Sequence, residues 1–430
     1  MKTLDLLSLV RDSYTAAGSP ESVLVALSGG ADSVALMLLL KALREEGTLP
    51  HLEAVHVNHG LRENSAQEEK RVRLLCLEQD VLLHTVHVTV KSGNLEAQAR
   101  AARYEAFETV LQETGIRCLA LAHHAGDVAE TVLMRLIRGC GDGLSSIREI
   151  SRAQGGYMLW RPLLSAVPEE LKAYNAALKI AWCEDESNQD TSYTRNYIRH
   201  KVLRPLEERA GNVRRNIARS ALILQDEQDH FTKLAMSFIQ CHAGRELIPW
   251  LDAEALAGLD KASRRAVIRA FTKPYVSELT FDETEAAQLL QHGGSINLRG
   301  GCRLERYGSR LYLTTAERPE KPSGEILFVA GGNNAVPDGK NMQRMPVSVA
   351  GRCELRFRRP GDKIMPFGMK EMKSLGDYLT DRKVPRPVRD RLPVMAMEDR
   401  VIWVIGVGCD EACRCDDTDE TVLVTYQCLE

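Results

Sequence analysis

Apolar and polar positions along the first half of the chain switch between two periods. Val23-Leu24-Val25-Ala26-Leu27 is a short unbroken apolar run with two valines, which predicts a strand buried on both faces. Val34-Ala35-Leu36-Met37-Leu38-Leu39-Leu40 is also apolar, but it runs on into Lys41-Ala42-Leu43-Arg44-Glu45-Glu46, rich in helix formers, and predicts a helix. The exchange repeats: residues 52–57, 81–88, 118–121 and 158–161 read as strands. Between them, Ser65-Ala66-Gln67-Glu68 forms a capping box that opens a helix to about residue 79. Further helices are expected over 95–114, closed by Gly115, over 128–138, and from Pro168 onward. Strands alternating with helices imply an α/β domain whose parallel sheet is covered on both faces and binds ligands at the carboxyl ends of its strands.

The pattern then changes. Residues 212–291 read as helical and 295–314 as strands. The stretch 316–339, rich in Pro, Gly and Asn, predicts a linker. Beyond residue 346, strands are expected at 353–357 and 401–407, with a short helix at 374–380. The expected division is a parallel-sheet domain over 1–211, an all-α domain over 212–316, a linker over 317–345, and a small α+β domain over 346–430.

With 430 residues the chain is long enough for two or three such domains. A net charge of −3 does not by itself point to a polyanion, but the basic residues are gathered in two places. Lys201, Arg204, Arg209, Arg214, Arg215 and Arg219 follow Tyr193 and Tyr197. Arg352, Arg356, Arg358, Arg359, Lys363, Lys370 and Lys373 precede Arg382, Lys383, Arg386, Arg389 and Arg391. Basic stripes beside aromatics fit contact with RNA. The 11 cysteines are scattered and odd in number, the N-terminal run is broken by Asp5, and no apolar run is long enough to span a bilayer. Free thiols, a cytoplasmic location and no membrane contact are expected. Cys409, Cys413 and Cys415 lack a paired Cys-x-x-Cys spacing and read as a solvated acidic turn.

The candidate chemistry lies at the strand ends. Ser28-Gly29-Gly30-Ala31-Asp32-Ser33 joins the first strand to the first helix of the sheet domain. Paired glycines let backbone N–H groups approach an anion at a helix N-terminus, and two serines add hydroxyls. A carboxylate at Asp32 would repel phosphate unless a divalent cation or an amine stands between them. The loop has no Gly-Lys-Ser/Thr ending, so it is not a Walker A loop. It resembles the PP-loop of the N-type ATP pyrophosphatases.

After the next strand, His56, Asn58, His59 and Arg62 are placed to meet a base or a phosphate. Arg100 and Arg103 share a helix face, spaced for phosphate or carboxylate. In His123-His124-Ala125-Gly126-Asp127-Val128-Ala129-Glu130, the two acids also share a face. They suit a helix cap, Mg²⁺ or a cationic amine, whereas His-His-x-x-Asp is not a usual structural zinc spacing. A last segment runs from the acidic Glu184-Asp185-Glu186-Ser187-Asn188 into Arg195-Asn196.

Taken together, these segments make the chain resemble the tRNA(Ile)-lysidine synthases over nearly its full length. Arg161-Pro162-Leu163-Leu164, Arg358-Arg359-Pro360-Gly361-Asp362 and Val384-Pro385 to Arg391-Leu392-Pro393 extend the match, and the Glu184 and C-terminal motifs make it specific. The resemblance implies a ligase that forms a C–N bond. ATP adenylates the C2 carbonyl oxygen of the wobble cytidine of a CAU-anticodon tRNA(Ile) and releases pyrophosphate. The ε-amine of free lysine then displaces AMP.

It implies ATP binding by Ser28 to Ser33 with His56, Asn58, His59, Arg62 and His123, and Mg²⁺ on Asp32. The catalytic set is Asp32, Asp127, Glu130, Arg100 and Arg195, with Asp127 or Glu130 cradling the lysine amine. A homodimer is compatible with it. One departure stands out: the family usually has two adjacent aspartates where this chain has Gly126-Asp127. The rival enzyme is a tRNA thiolase, which would need reactive cysteines, and Cys76, Cys118 and Cys140 show no paired spacing. A rival without chemistry is a catalytically silent tRNA-binding homologue.

Overall fold

The computed structural model describes residues 5–58, 60, 65–88, 95–139, 147–153, 155–183, 190–277, 279–290, 293–316, 319–330, 337–338, 340–416 and 419–428. It falls into two compact units, Met1–Gln228 and Asp229–Glu430.

The first unit carries α1 (Leu6–Ala16), β1 (Ser22–Ala26), α2 (Ala31–Glu45), β2 (His51–Asn58), α3 (Ser65–Glu78), β3 (Leu82–His87), α4 (Leu95–Thr114), β4 (Cys118–Ala120), α5 (Ala125–Ile137), β5 (Ile150–Arg152), β6 (Met158–Trp160), α6 (Pro168–Ala177), α7 (Thr194–Tyr197), a π-helix (Ile198–Leu203), α8 (Arg204–Ala210) and the start of α9 (Val213–His242), whose residues beyond Gln228 belong to the second unit. The sheet order is β3-β2-β1-β4-β6-β5. β1 lies parallel to both β2 and β4, with Val25 opposite Ala54 on one side and Ala120 on the other. β5 pairs antiparallel to β6 and closes the edge, a strand the hydrophobic pattern did not single out.

The unbroken apolar run of β1 has a direct cause. Val23 and Val25 are buried in one core with α1 and α2, while Leu24 is buried in the other beneath α4 with Phe107 and Leu111. Both faces are dry from Val23 to Val25, so these three positions are all apolar. Gly115, at φ +73°, ends α4 as expected. α5 begins at Ala125, three residues earlier than the apolar period indicated, because His124 caps it.

The second unit continues through β7 (Ala243–Arg245), β8 (Pro249–Asp252), α10 (Ala253–Ala257), α11 (Lys261–Thr272), α12 (Phe281–Leu289), β9 (Gly294–Asn297), β10 (Arg303–Tyr307) and β11 (Arg310–Thr314). The helical region thus also carries two short strands, β7 and β8, which join an antiparallel sheet of order β7-β8-β11-β10-β9. Then come β12 (Gly324–Ala330), β13 (Met342–Pro346), α13 (Val347–Ala350), β14 (Glu354–Phe357), β15 (Lys363–Ile364), β16 (Lys373–Ser374), α14 (Leu375–Asp381), α15 (Arg386–Arg389), β17 (Pro393–Met397), β18 (Arg400–Val404), β19 (Gly408–Cys409) and β20 (Thr421–Cys428).

β12 and β13 lie in the stretch read as a linker. Both pair with β20, with Phe328 opposite Val424 and Arg344 opposite Leu423. The Gly-, Pro- and Asn-rich composition hid a β-rich run, Glu325-Ile326-Leu327-Phe328-Val329, whose partner lies about a hundred residues on. The cysteine cluster differs from expectation in part: Cys413 is buried in the core with Trp403 and Ile402, while Arg414 and Asp416 remain exposed. Among the described residues, no helix is long and apolar enough to cross a membrane.

Candidate active site

The loop after β1 is held by its own serines. Ser33 Oγ donates to Gly30 O at 3.0 Å and accepts from Ser28 N–H at 3.2 Å, with Ser28 Oγ 3.1 Å away. Gly29 sits at φ +88°, and a Cβ there would lie 2.9 Å from Val72 Cγ2, so both conformation and space demand glycine. Gly30 is the N-cap of α2 and supplies no side-chain cap. The first-turn N–H groups of α2 therefore lack the usual side-chain acceptor, as an anion cradle requires. Ser33, expected as an outward donor, is buried and shapes the loop instead, while Ser28 remains exposed.

His124 links this loop to α5. Its Nδ1 accepts from Gly126 N–H at 3.0 Å and Asp127 N–H at 3.4 Å, and its Nε2 lies 3.5 Å from Asp32 Oδ2. Burial resists a charge on the ring, but Asp127, Asp32 and Glu130 outweigh it and hold its pKa above the usual value. The departure at Gly126 has its reason here. A Cβ at that position would lie 2.8 Å from His124 Cε1, so the capping ring and a larger residue cannot both stay in place.

Asp127 closes the capping box by accepting from His124 N–H at 3.0 Å. Its other oxygen accepts from Arg195 Nη2 at 2.8 Å. Glu130, only 1% exposed, accepts from Arg195 Nε at 2.6 Å and from Arg199 Nε at 2.6 Å. Two acids one helical turn apart thus converge on two guanidinium groups carried by α7 and the π-helix. Burial works against the charge on Asp127, yet His124, Arg195 and His123 prevail and bring its pKa down to about 2.

His123 faces the opposite field. Burial, aided by Arg161, Arg195 and Arg100 and opposed by Asp127, lowers it to about 4, and its Nδ1 is buried without a partner. Arg161, 7% exposed, donates through Nη1 to Arg148 O at 2.8 Å and Ser151 Oγ at 3.0 Å.

The remaining expected residues are placed differently. His56 is buried, with Nδ1 2.8 Å from Leu27 O, and Asn58 donates to Glu69 at 2.8 Å. Both brace the β1 and β2 ends from within. Arg100 is exposed on α4, its guanidinium 5.2 Å from the Tyr104 ring centre. His59, Arg62 and the Glu184 to Gln189 part of the acidic motif lie outside the described residues. Of the basic stripe, Arg214 is engaged by Glu169 at 2.8 Å and Arg215 by Glu170 at 2.7 Å, which fastens α9 to α6.

Three residues escaped the sequence reading. From sequence alone Arg199 has no role, and His124 is weighed only as a zinc ligand. Cys183 donates its N–H to Gly29 O at 2.8 Å, and no local signal ties it to a loop 154 positions earlier.

Asp32 bears on the metal. Its Oδ1 is buried without a hydrogen-bond partner, which fits a cation held against phosphate. Among the described residues no three His, Cys, Asp or Glu side chains converge as a metal site, so Asp32 would be the protein's anchor and the phosphates would supply the rest. Cys76 and Cys118 are buried, and burial pushes their thiols up to about 11 and about 12. Neither is poised as a thiolate.

A family model described as the PP-loop domain matches residues 6–206, and one described as the TilS substrate C-terminal domain matches residues 353–425. Curated relatives cover the rest. The tRNA(Ile)-lysidine synthase of Legionella pneumophila (strain Paris) is 30% identical over 408 residues, 90% of this chain and 91% of the relative. That of Geobacter sulfurreducens is 31% identical over 438 residues, 92% of this chain and 90% of the relative. That of Symbiobacterium thermophilum is 31% identical over 476 residues, 99% of this chain and 98% of the relative.

Proposed function

The chain belongs to the tRNA(Ile)-lysidine synthase family of ATP-using ligases, and from that premise we propose how its own residues divide the reaction. The substrates are ATP, free lysine and a CAU-anticodon tRNA(Ile), and the reaction takes place in the cytoplasm. The N-terminal segment 1–211 carries the chemistry; 212–316 and 346–430 hold the tRNA.

The pyrophosphate of ATP lies on the loop from Ser28 to Ser33, where backbone N–H groups and the α2 N-terminus meet it. Preorganised donors of this kind stabilise charge as pyrophosphate leaves the cytidine-bound AMP. Asp32 would hold Mg²⁺, which would neutralise phosphate charge. Neutral His123, with Nδ1 unpartnered, offers a hydrogen bond to the nucleotide.

Asp127 and Glu130 cradle the ammonium of lysine, and one of them takes its proton before attack on C2. The observation that carries this reading is their grip on Arg195 and Arg199. A dry pair of carboxylates that holds two cations offers the charge an incoming ammonium requires. Lysine entry then displaces part of that arginine contact. The guanidinium it frees is available to the substrate carboxylate or to phosphate.

The test is direct. The chain is incubated with ATP, Mg²⁺, labelled lysine and a CAU-anticodon tRNA(Ile) transcript. Label is expected in the tRNA, with AMP and pyrophosphate released in equal amounts. No incorporation at any Mg²⁺ concentration sinks the proposal. The thiolase reading is not favoured: the relatives that match 90% or more of the chain are tRNA(Ile)-lysidine synthases, and the C-terminal match is to their substrate domain.

A further inference from the structure

The hairpin loop between β15 and β16 holds three large apolar side chains in the open: Phe367 is 50% exposed, Met369 49% and Met372 44%. The loop is pinned. Met365 N–H donates to Asp410 Oδ2 at 2.7 Å, Phe367 N–H to Cys409 O at 3.2 Å and Gly368 N–H to Glu411 Oε2 at 2.5 Å. Glu411 N–H donates back to Met365 O at 2.8 Å. Asp410 is fully buried and held by Arg400 at 2.6 Å. Apolar groups displayed on so fixed a scaffold mark a surface that something covers.

The surrounding charge says what. The Arg414 guanidinium, paired with Glu411 at 2.5 Å, lies 5.5 Å from the Phe367 ring centre, and Lys370 is exposed at the loop's tip beside Glu371. Lys373 and Arg382 flank the following helix α14, with Lys373 3.1 Å from Asp381. An aromatic face among cations suits a flat base next to phosphates, whereas the core of a protein interface is depleted in charge.

We propose that Phe367, Met369 and Met372 form a stacking platform for an unpaired nucleobase of the tRNA, with Lys370, Lys373 and Arg414 meeting the adjoining phosphates. This deepens the functional reading above and rests on it.

The experiment uses the full chain and the CAU-anticodon tRNA(Ile) transcript, with circular dichroism melts to check folding. Phe367→Ala weakens tRNA binding by about tenfold, the usual size of one lost base stack. It raises KM for tRNA and leaves kcat for lysine transfer unchanged. Phe367→Trp keeps the affinity, and its indole emission is quenched by tRNA. Phe367→Leu, apolar without a π face, behaves like the alanine variant. Lys370→Ala lowers the slope of log affinity against log salt by about one.

A wild-type chain that does not bind the transcript overturns the functional reading and this proposal with it. A wild type that binds, beside a folded Phe367→Ala that binds within twofold, overturns the platform alone. So does a Phe367→Leu variant that binds like wild type.

Discussion

Arg195 joins Asp127 to Glu130: its Nη2 donates to one acid at 2.8 Å and its Nε to the other at 2.6 Å. The contact brings α7 and the π-helix against the first turns of α5. It makes the proposed amine cradle part of the fold, so stability and the proposed chemistry there would be coupled.

Glu130→Gln tests that coupling. It leaves Arg199 facing a neutral amide while Arg195 keeps its bond to Asp127, and because both guanidinium groups are partly exposed the loss is about 1–2 kcal/mol, below that of a fully buried pair. A fall of several degrees in Tm is expected, together with loss of lysine transfer. Arg199→Gln in the Glu130→Gln background should restore part of the stability and none of the transfer. Additive stability losses would show that the pair is not coupled.

Asp127→Asn separates binding from chemistry. The variant should retain tRNA affinity while lysine transfer falls by about 10²-fold or more, the usual cost of removing one preorganised electrostatic group from an active site. In the wild type Asp127 has a folded pKa of about 2, below the ordinary carboxylate value. Its stabilisation is present above the unfolded pKa and is lost as pH falls through the folded one. A loss of about 2 kcal/mol on acidification toward pH 2 should be missing from Asp127→Asn. Parallel acid-unfolding curves for the two proteins would rule this out.

His123 sets a milder window. Its folded pKa of about 4 lies below that of a free histidine, so its contribution is complete above about pH 6.5 and declines as pH falls toward 4. Tm measured across that window should drop less steeply for His123→Asn than for the wild type.

Gly126→Ala probes the cap. The new Cβ would sit 2.8 Å from His124 Cε1 and push the ring away from the N–H groups it accepts from. A loss of about 1 kcal/mol is expected, the usual worth of an N-cap. Lysine transfer should fall with it, because Asp127 shares the same capping box. Unchanged Tm and activity would mean that the ring relaxes at no cost.

Cys118→Ala should leave lysidine formation within about twofold of wild type, since burial holds the thiol protonated and the proposed chemistry needs no sulfur nucleophile. Product analysis by mass spectrometry settles it, and a thiolated nucleoside dependent on Cys118 would reverse the assignment.

Much of this was legible in the residues. The β1 run, the Gly29-Gly30 turn and α2 are local: burial on both faces, a positive φ and helix propensity each act within a few positions. α4 ran over 95–114 as its pattern indicated. Asp127 and Glu130 shared a face because helical spacing puts them there. What failed was whatever depended on distant partners. β12 looked like linker because β20 lies about a hundred residues away, and Cys413 looked solvated because Trp403 and Ile402 were not its neighbours in sequence. His56 and Asn58 looked outward-facing until the Leu27 carbonyl and Glu69 claimed them.

Backbone geometry and periodicity, both short-range, were enough for the parallel strands and helices of the first unit, the anion loop and the inventory of charges. Only the tertiary structure decided which charges meet. It set Arg195 and Arg199 on Asp127 and Glu130, and laid His124 over Gly126. It also left Asp32 Oδ1 without a partner. Pairing in a dry site depends on distances of a few ångströms between segments some 70 residues apart, and the packing of the fold sets those distances.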